Sequence, residues 1–431
     1  MIRLHGGRII DPSSGRDEVA DLVINEGRIM ADGATPNGTS HSGETETVID
    51  VSGYIVAPGF VDLHTHLREP GFEDAETIAT GTRAAAAGGF TTVCAQSDTS
   101  PSIDTGSDVE AVFTQVRRDG VVRVLPVGTT TKRREGKELS EMADMADMGA
   151  VAFSDAGRAV TSASLMRHAL EYSLLVERPI SSHSQDPDLV DGGVMHEGPL
   201  ATVLGLKGIP REAEEIAVAR DLALARLTGG RLHLTHLSTA GAVDLVRRAK
   251  AAGVRVSAEV TPHHLVLSDA AVRDRPYDTN ARTDPPLRSK EDAQALLAGI
   301  KDGTIDCIAT DHSPWRSIDK ECEFDLAKPG ISGLETAFGL VMRLVHAGAL
   351  TLAELIGALS HRPAGAWGLP YGTLQPGSAA DVVVLDPDQA WVVDPERFLS
   401  KGKNSPLGGQ TLRGTVLLTI ADGNIVYRNG L

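Results

Sequence analysis

Residues 57–71 read APGFVDLHTHLREPG and place two histidines at the end of a short apolar run. The run, at 59–64, has the length and composition of a buried strand. Side chains along a strand alternate between its two faces, so His64 and His66 point the same way. Two imidazoles on one face can bind one metal ion, and this strand end is therefore the first candidate for a metal site.

Seven further runs of this kind follow, and helical stretches separate most of them. They lie at 90–95, 121–127, 150–155, 179–183, 231–236, 255–260 and 305–311. Strands that alternate with helices form a parallel sheet, and eight of them predict an α/β fold of the (β/α)8 TIM-barrel type. The alternative is an open doubly wound sheet, but no GxGxxG motif follows the first strand to support a dinucleotide site.

Residues 210–227 form the clearest predicted helix between these runs. Pro210 opens it, and acidic residues fill its first turn. Its spacing predicts a single apolar stripe. The stripe consists of Ile216, Ala219, Ala223 and Leu227.

Both ends of the chain are β-like rather than alternating. The run DLVIN at 21–25 precedes the turn pair Glu26-Gly27, and Asp422-Gly423 separates two apolar runs near the C-terminus. Because the termini of a domain often lie close together, we predict that residues 1–57 and 371–431 form a small composite β-sandwich domain. Residues 58–370 would form the barrel. The Gly-, Ser- and Thr-rich stretch 32–46 predicts a surface loop.

The composition is that of an ordinary globular protein. The 431 residues are 41% hydrophobic and carry a formal net charge of -17. Such a charge repels phosphate backbones and anionic lipid surfaces, so we expect neither a nucleic acid nor a membrane as a partner.

The cysteines and the N-terminal sequence favour the cytoplasm. Cys94, Cys307 and Cys322 form no CxxC pair, and Cys94 and Cys307 lie in apolar β-like runs, where cysteine behaves as a small buried hydrophobe. The start, MIRLHGGRIIDPSSG, has no apolar signal core, and the chain has no 18-residue apolar run. We therefore predict a cytoplasmic protein.

Polar residues cluster at the ends of the predicted barrel strands, where barrel enzymes place their reactive groups. Imidazoles and carboxylates together suit Zn²⁺ or a similar divalent ion. The candidate ligands are His64, His66, Asp155, His183, His236 and Asp311.

Three other histidines are expected to have supporting positions. His233 lies three residues before His236, on the opposite face of a regular strand, and is expected to pack toward a helix. His263 and His264, in the sequence TPHH, are expected to support a site at most rather than to bind the metal.

These motifs resemble those of the type I dihydroorotases of the amidohydrolase superfamily. The matching segments include APGFVDLHTHLREPG, AAAAGGFTTV, LHLTHLST, DPPLR, DCIATDH and GTLQPGSAADVVVLDP. The resemblance covers nearly the whole chain and implies a (β/α)8 barrel with a composite β-domain. It also implies a zinc-dependent enzyme that reversibly hydrolyses dihydroorotate to carbamoyl aspartate in de novo pyrimidine synthesis.

The resemblance assigns the metal ligands by position. His64 and His66 match the ligands of a first ion, and His183 and His236 match those of a second. Asp311 matches a catalytic acid/base that also binds the first ion. One or two zinc ions per chain are expected.

The resemblance also assigns substrate contacts. Arg68 matches the arginine that holds the substrate carboxylate, and Gly330 and Ile331 match a loop near the substrate.

One departure from the family pattern concerns the metals. The family motif FSDDG or FTDDG is FSDAG here, so Ala156 stands where the family has an aspartate that bridges two metals. No lysine lies in 150–157 to take its place. The change favours a single metal, or lets Asp155 move into the bridging position.

Further departures concern the substrate. Asp98 and Asp284 stand where the family has substrate-binding asparagines, and Trp315 replaces a histidine. A carboxylate near the substrate carboxylate repels it unless Arg68 or another cation neutralises the charge.

Three functions therefore remain open. The first is an active zinc-dependent dihydroorotase, which is expected to be a homo-oligomer. The second is a non-catalytic dihydroorotase-like subunit that supports a partner such as aspartate transcarbamoylase. The third is an amidohydrolase that acts on another cyclic amide. The intact ligands His64, His66, His183, His236 and Asp311 favour an active enzyme over the non-catalytic subunit.

Overall fold

A computed structural model describes residues 1–31 and 46–431. The loop predicted at 32–46 lies outside the described residues except for its last position.

The described residues form eighteen strands. The strands are β1 (Ile2–Asp11), β2 (Arg16–Asn25), β3 (Arg28–Ile29), β4 (Thr47–Asp50), β5 (Ile55–Pro58), β6 (Phe60–Thr65), β7 (Phe90–Ala95), β8 (Arg123–Gly128), β9 (Ala152–Phe153), β10 (Ile180–Ser182), β11 (Met195–His196), β12 (Gly208–Ile209), β13 (Leu232–Leu234), β14 (Val256–Val260), β15 (Cys307–Ile308), β16 (Val382–Val392), β17 (Thr411–Ala421) and β18 (Asn424–Arg428).

Fourteen α-helices accompany these strands in the described part of the chain. The helices are α1 (Ile78–Ala87), α2 (Gly106–Asp119), α3 (Met142–Asp147), α4 (Ala163–Val176), α5 (Pro187–Val190), α6 (Pro199–Leu204), α7 (Glu212–Thr228), α8 (Ala240–Ala251), α9 (Pro262–Val266), α10 (Ala270–Asp274), α11 (Lys290–Asp302), α12 (Ala337–His346), α13 (Leu352–Leu359) and α14 (His361–Trp367).

An eight-stranded parallel sheet forms the centre of the molecule. Its order is β6-β7-β8-β9-β10-β13-β14-β15, so each of the eight predicted runs overlaps one strand. A parallel bridge between Thr65 and His312, with a 2.9 Å bond from the His66 amide to the His312 carbonyl, joins the first strand end to the last. The nearly closed barrel confirms the predicted (β/α)8 fold and excludes the open sheet.

Helix α14 fills the barrel interior from the end opposite the histidines. Trp367 packs there with Val61, Leu63, Cys307 and Ala309, all of them buried. The interior is therefore a packed core, and the space for chemistry lies at the carboxyl ends of the strands.

Helix α7 confirms the predicted helix but not its packing face. Ile216 and Leu227 of the predicted stripe are 53% and 65% exposed, and Ala219 and Ala223 are exposed as well. The opposite face is buried, and it includes two acids that apolar periodicity cannot detect. Glu214 accepts hydrogen bonds from the amides of residues 238 and 239, and Asp221 accepts one from the Ser182 hydroxyl. These acids made the inner face of the helix look polar in the sequence.

Strands from both termini form one β-rich domain, as predicted. Their sheet has the order β18-β17-β16-β5-β1-β2-β3, and β4 also pairs with β1. Strands β5 and β16 join the two ends in antiparallel register. Buried apolar residues of both ends, including Leu4, Ile24, Val384 and Leu418, share one core. We propose residues 1–57 and 371–431 as this domain and 58–370 as the barrel.

Among the described residues, no helix is long and apolar enough to cross a bilayer. Cys94 and Cys307 are buried in β7 and β15, and Cys322 is partly buried.

Candidate metal centre and its cavity

Three candidate ligands converge at the mouth of the barrel. His64 and His66 leave the end of β6, and Asp311 follows β15 in a left-handed turn with φ of 48°. One ligand atom from each residue lies within 4.8 Å of the other two. Oδ1 of Asp311 is 3.3 Å from Nε2 of His66 and 3.7 Å from Nε2 of His64. We call these three residues the His64 cluster.

Glu259, at the end of β14, fixes the orientation of His64. Nδ1 of His64 donates to Oε1 of Glu259 at 2.8 Å, and Nε2 of His233 donates to Oε2 at 3.0 Å. Burial raises the pKa of Glu259, but the hydrogen bonds from His233 and His64 outweigh it and lower the pKa to about 2. Glu259 is therefore an anion behind the ligand, as is common behind metal-bound histidines. Sequence reasoning missed it, although a lone acid in the run VSAEV was a usable signal.

His233 does not lie away from the barrel interior, as a regular strand would require. The backbone of His236 adopts φ of 33°, beyond the end of β13, and this irregular turn brings both histidines inside. His233 does pack toward a helix, because its ring meets Trp367 of α14 edge-on at 5.4 Å.

Asp98 fixes the orientation of His66. Nδ1 of His66 donates to one carboxylate oxygen of Asp98 at 2.7 Å, and Nη1 of Arg68 donates to the other at 2.5 Å. Burial raises the pKa of Asp98, but the charges of His66 and Arg68 outweigh it and lower the pKa well below its ordinary value. Asp98 thus lines the cavity with both of its oxygens already occupied.

Arg68 is held from several sides. Besides Asp98, its Nε donates to the Pro314 carbonyl at 3.3 Å, and its guanidinium lies 4.1 Å from the centre of the Trp315 ring. The Trp315 indole in turn donates to the Pro329 carbonyl at 2.7 Å. Arg68 therefore faces the cavity as part of a neutral pair rather than as a free cation.

His183 and His236 form a second group, which we call the His183 pair. Nδ1 of His183 lies 3.1 Å from Nε2 of His236, and Nε2 of His183 donates to Oε1 of Gln185 at 3.0 Å. The His236 ring lies 5.2 Å from the His64 ring, so the pair adjoins the His64 cluster. Burial lowers the pKa of His236, and the neighbouring His183 lowers it further.

Asp155 does not join either group. Its carboxylate accepts the amides of Thr130 and Thr131 at 3.0 and 2.9 Å and also the Thr131 hydroxyl. The side chain therefore anchors the loop after β8 instead of bridging metals. Ala156 does line the cavity, with φ of 28°, but it offers no donor atom from its side chain.

The other predicted substrate contacts divide into two groups. Asp284, Trp315 and Gly330 line a cavity of about 840 Å³ together with the His64 cluster. Ile331 does not line it, because its side chain is buried and its backbone pairs with His312.

His263 and His264 lie outside both metal groups. His264 bonds to the Thr261 hydroxyl at 2.8 Å and to the Pro285 carbonyl at 3.1 Å. The pKa values of both histidines are lowered, mainly by burial, to about 4 and about 3.

Arg134 is a cavity residue that sequence reasoning missed. It follows β8, and its Nε and Nη2 donate to the carbonyls of Asp155 and Ala156 at 2.9 and 2.5 Å. It lies in the charged run TKRREGKE, and charge alone does not indicate which side chain of such a run points inward.

The His64 cluster fits a divalent metal ion on the chemistry of its donors. Both Nδ1 atoms are committed as donors to carboxylates, which leaves two Nε2 lone pairs pointing toward a carboxylate oxygen. Three acceptors in one place need a cation between them. Two imidazoles and one carboxylate with an open side are a donor set of catalytic zinc sites.

Two family models match the chain. A family described as dihydro-orotase-like matches residues 53–242, and the amidohydrolase family matches residues 212–427. The chain is 50% identical over 430 residues to a dihydroorotase of Anaeromyxobacter sp. (strain K), covering 100% of this chain and 98% of that one. It is 47% identical over 427 residues to a dihydroorotase of Syntrophus aciditrophicus (strain SB), covering 99% of both.

Solved structures agree in fold. The L-hydantoinase (dihydropyrimidinase) from Arthrobacter aurescens superposes with a TM-score of 0.88 at 26% identity, covering 100% of this chain and 96% of that chain. A dihydropyrimidinase from Brevibacillus agri NCHU1002 superposes with a TM-score of 0.83 at 23% identity, covering 99% and 95%. The second likeness concerns the fold alone.

Proposed function

Because this chain belongs to the dihydroorotase-like family of the amidohydrolases, we propose that it reversibly hydrolyses the cyclic amide of dihydroorotate to carbamoyl aspartate with the help of zinc. The chain is a metal-dependent cyclic amide hydrolase. The observation that carries the proposal is the convergence of three acceptor atoms from His64, His66 and Asp311 beside an 840 Å³ cavity.

We assign one zinc ion to the His64 cluster. Bound there, the ion would polarise the amide carbonyl and lower the pKa of water toward about 7. A second ion at the His183 pair would need a bridging carboxylate, and Ala156 supplies none. Asp155 is held by Thr130 and Thr131, which further favours a single ion.

Asp311 is the proposed acid/base. Its Oδ1 faces the two histidines, and Oδ2 makes no hydrogen bond to any described residue, so Oδ2 is free to hold a proton. The ionised carboxylate takes the proton of the attacking water and returns it to the leaving ring nitrogen. The same proton moves back during ring closure.

The substrate contacts assigned by resemblance stay proposals with changed roles. Asp98 and Trp315 hold Arg68 in place, so Arg68 faces the ring as part of a neutral pair. Asp284 and Gly330 contact the ring from the cavity wall. Ile331 supports Gly330 from the core.

A second candidate function is hydrolysis of a cyclic amide that lacks a carboxylate. Asp98 neutralises Arg68, and Asp284 adds another carboxylate to the cavity wall. Both changes suit a neutral ring better than an anionic one.

We also propose that the protein acts in the cytoplasm as a homo-oligomer. Exposed apolar side chains on α4 and α7, among them Leu175 at 73% and Leu227 at 65%, support self-association. Light scattering behind a sizing column gives the assembly mass. Adding an aspartate transcarbamoylase to the same column tests for the partner that the family resemblance implies.

One experiment separates the candidate functions. The purified protein is loaded with Zn²⁺, its metal content is measured, and ring opening of dihydroorotate and of dihydrouracil, which lacks the carboxylate, is assayed. Bound zinc with turnover of dihydroorotate supports the proposal. Turnover of dihydrouracil alone supports the second candidate, and zinc-loaded protein that opens neither ring contradicts both.

A further inference from the structure

We propose that Arg134, and not Arg68, binds the substrate carboxylate in this chain. The inference deepens the proposed function and rests on it. Arg134 is a cation at the cavity wall whose charge no carboxylate of the described residues neutralises by a direct ion pair.

The two arginines differ in their partners. Arg68 forms an ion pair with Asp98 at 2.5 Å, so the pair presents no net charge to a ligand. Arg134 donates to two neutral carbonyls, those of Asp155 and Ala156, and these leave its positive charge intact. An anion that enters the cavity therefore meets an unbalanced charge at Arg134 and a balanced one at Arg68.

The geometry of the guanidinium leaves one edge for a ligand. The two carbonyls occupy Nε and Nη2, which form one edge of the planar fork. Nη1 makes no hydrogen bond to a described residue, so the end of the fork keeps donors for a carboxylate. Arginine commonly binds carboxylates in this way, through a bidentate contact.

The backbone holds Arg134 in this place at some cost. Arg133 and Arg134 have φ of 53° and 56°, a left-handed conformation that side chains rarely adopt in succession. Residues are kept in such a conformation where the surroundings determine it, often at ligand sites. Asp155, fixed on Thr130 and Thr131, supplies one of the carbonyls that hold the guanidinium.

Ala156 explains why the charge is free. The guanidinium bonds to the backbone carbonyl of this residue, and the alanine side chain offers no carboxylate to pair with it. With alanine there, the counter-charge must come from elsewhere. Burial lowers the pKa of Arg134, and the nearby charge of Asp98 only partly offsets this effect, so an anionic ligand would stabilise the charged form.

The test compares two ligands that differ by one carboxylate. Calorimetry on zinc-loaded protein gives Kd for dihydroorotate and for dihydrouracil, with Asp311→Asn present in every sample so that the ring is bound but not opened. The parent, Arg134→Met, Arg68→Met and the control Arg133→Met are compared in this background. Arg133 is the matched control because it is the same residue type in the same turn but exposed and outside the cavity. Zinc content is measured in every variant.

We expect Arg134→Met to raise Kd for dihydroorotate roughly 10- to 100-fold, as loss of a hydrogen bond to a charged group does. Kd for dihydrouracil should change little, and Arg133→Met should change neither. Arg134→Lys keeps the charge and should show a smaller selective loss. The Kd values are compared only between variants with equal zinc content, so that weaker ligand binding is not confused with loss of the metal ion.

Two results overturn the inference. One is an equal loss of both ligands in Arg134→Met, which would mean a structural role. The other is a selective loss of dihydroorotate in Arg68→Met instead. A wild-type protein that prefers dihydroorotate through Arg134 but does not open the ring would sink the proposed hydrolysis and leave this inference standing. Equal affinity of the parent for both rings would sink the inference whatever the turnover.

Discussion

Two histidine pairs lie side by side at the mouth of this barrel, and they differ in what their nitrogens contact. His64 and His66 each donate from Nδ1 to a carboxylate, so their Nε2 lone pairs point at Asp311 and at each other. His183 and His236 bond to one another and to Gln185. The first pair is complete only with a cation, whereas the second satisfies itself with protein partners. A histidine at a strand end can thus serve as a metal ligand when a carboxylate behind it accepts the Nδ1 hydrogen and leaves the Nε2 lone pair free.

The largest effect is expected from a variant that removes one histidine of the first pair. His66→Ala should remove the zinc ion and lower kcat/KM by at least about 10³-fold, because a metal contributes several kcal/mol to such a transition state. Metal analysis, kinetics and a melting curve check this, and the fold should persist because the side chain lies at the mouth. His183→Ala is the control and should keep the ion. Loss of zinc in the control alone, or full zinc with normal turnover in His66→Ala, contradicts the assignment.

Asp311→Asn should cause the next largest loss of turnover. Asparagine keeps an oxygen for the metal but cannot take a proton, so turnover should fall by about 10²- to 10⁴-fold while much of the zinc remains. Asp74→Asn, a change of an exposed carboxylate at the rim of the same cavity, is the comparison and should keep most of the activity. The acid/base role is wrong if Asp311→Asn turns over at the wild-type rate.

A smaller effect is expected from a change of Glu259, which lies behind His64. Glu259→Gln leaves one acceptor oxygen for the N–H groups of both His64 and His233 and removes the negative charge behind His64, so zinc affinity should fall about 10- to 100-fold. Competition with a chelator measures this. Asp221→Asn changes a buried acid that bonds to Ser182 and Ser184, next to His183, and should leave zinc affinity unchanged. Equal affinity losses in both variants would remove the distinction between the pairs.

The smallest effect on turnover is expected from Ala156→Asp, which completes the second pair. An aspartate at this position can bridge two ions, and its short polar side chain suits the left-handed backbone better than alanine does. Zinc per chain should rise, with slower release to a chelator. Turnover should rise less, because Asp98, Asp284 and Trp315 remain in the cavity wall. Ala156→Gly relieves the backbone alone and should keep one ion. Unchanged stoichiometry in Ala156→Asp would show that position 156 does not face the metals.

The barrel could be predicted because its signal is repeated eight times. Each short apolar run overlaps a strand, and strand ends in a parallel barrel meet at one mouth. The same rule brought His64, His66 and Asp311 together without knowledge of any side-chain contact. The β-domain was predictable for a related reason, since both ends show hairpin signals.

What the sequence could not give depends on contacts between distant segments. Asp155 looked like a ligand from its place at a strand end, but the amides of Thr130 and Thr131 bind it first. Glu259 supports His64 from 195 positions away along the chain. The packing face of α7 was mistaken because buried acids occupy it. In each case a polar partner determined the outcome, and hydrophobic periodicity carries no information about polar partners.

A zinc titration of the metal-free protein tests the central claim most directly. Dihydroorotate hydrolysis and bound zinc are followed together as ions are added. Turnover should appear and saturate at one equivalent per chain, with no further gain at two. Activity that begins only with a second equivalent, or one bound equivalent with no turnover, would contradict a single-ion dihydroorotase built on His64, His66 and Asp311.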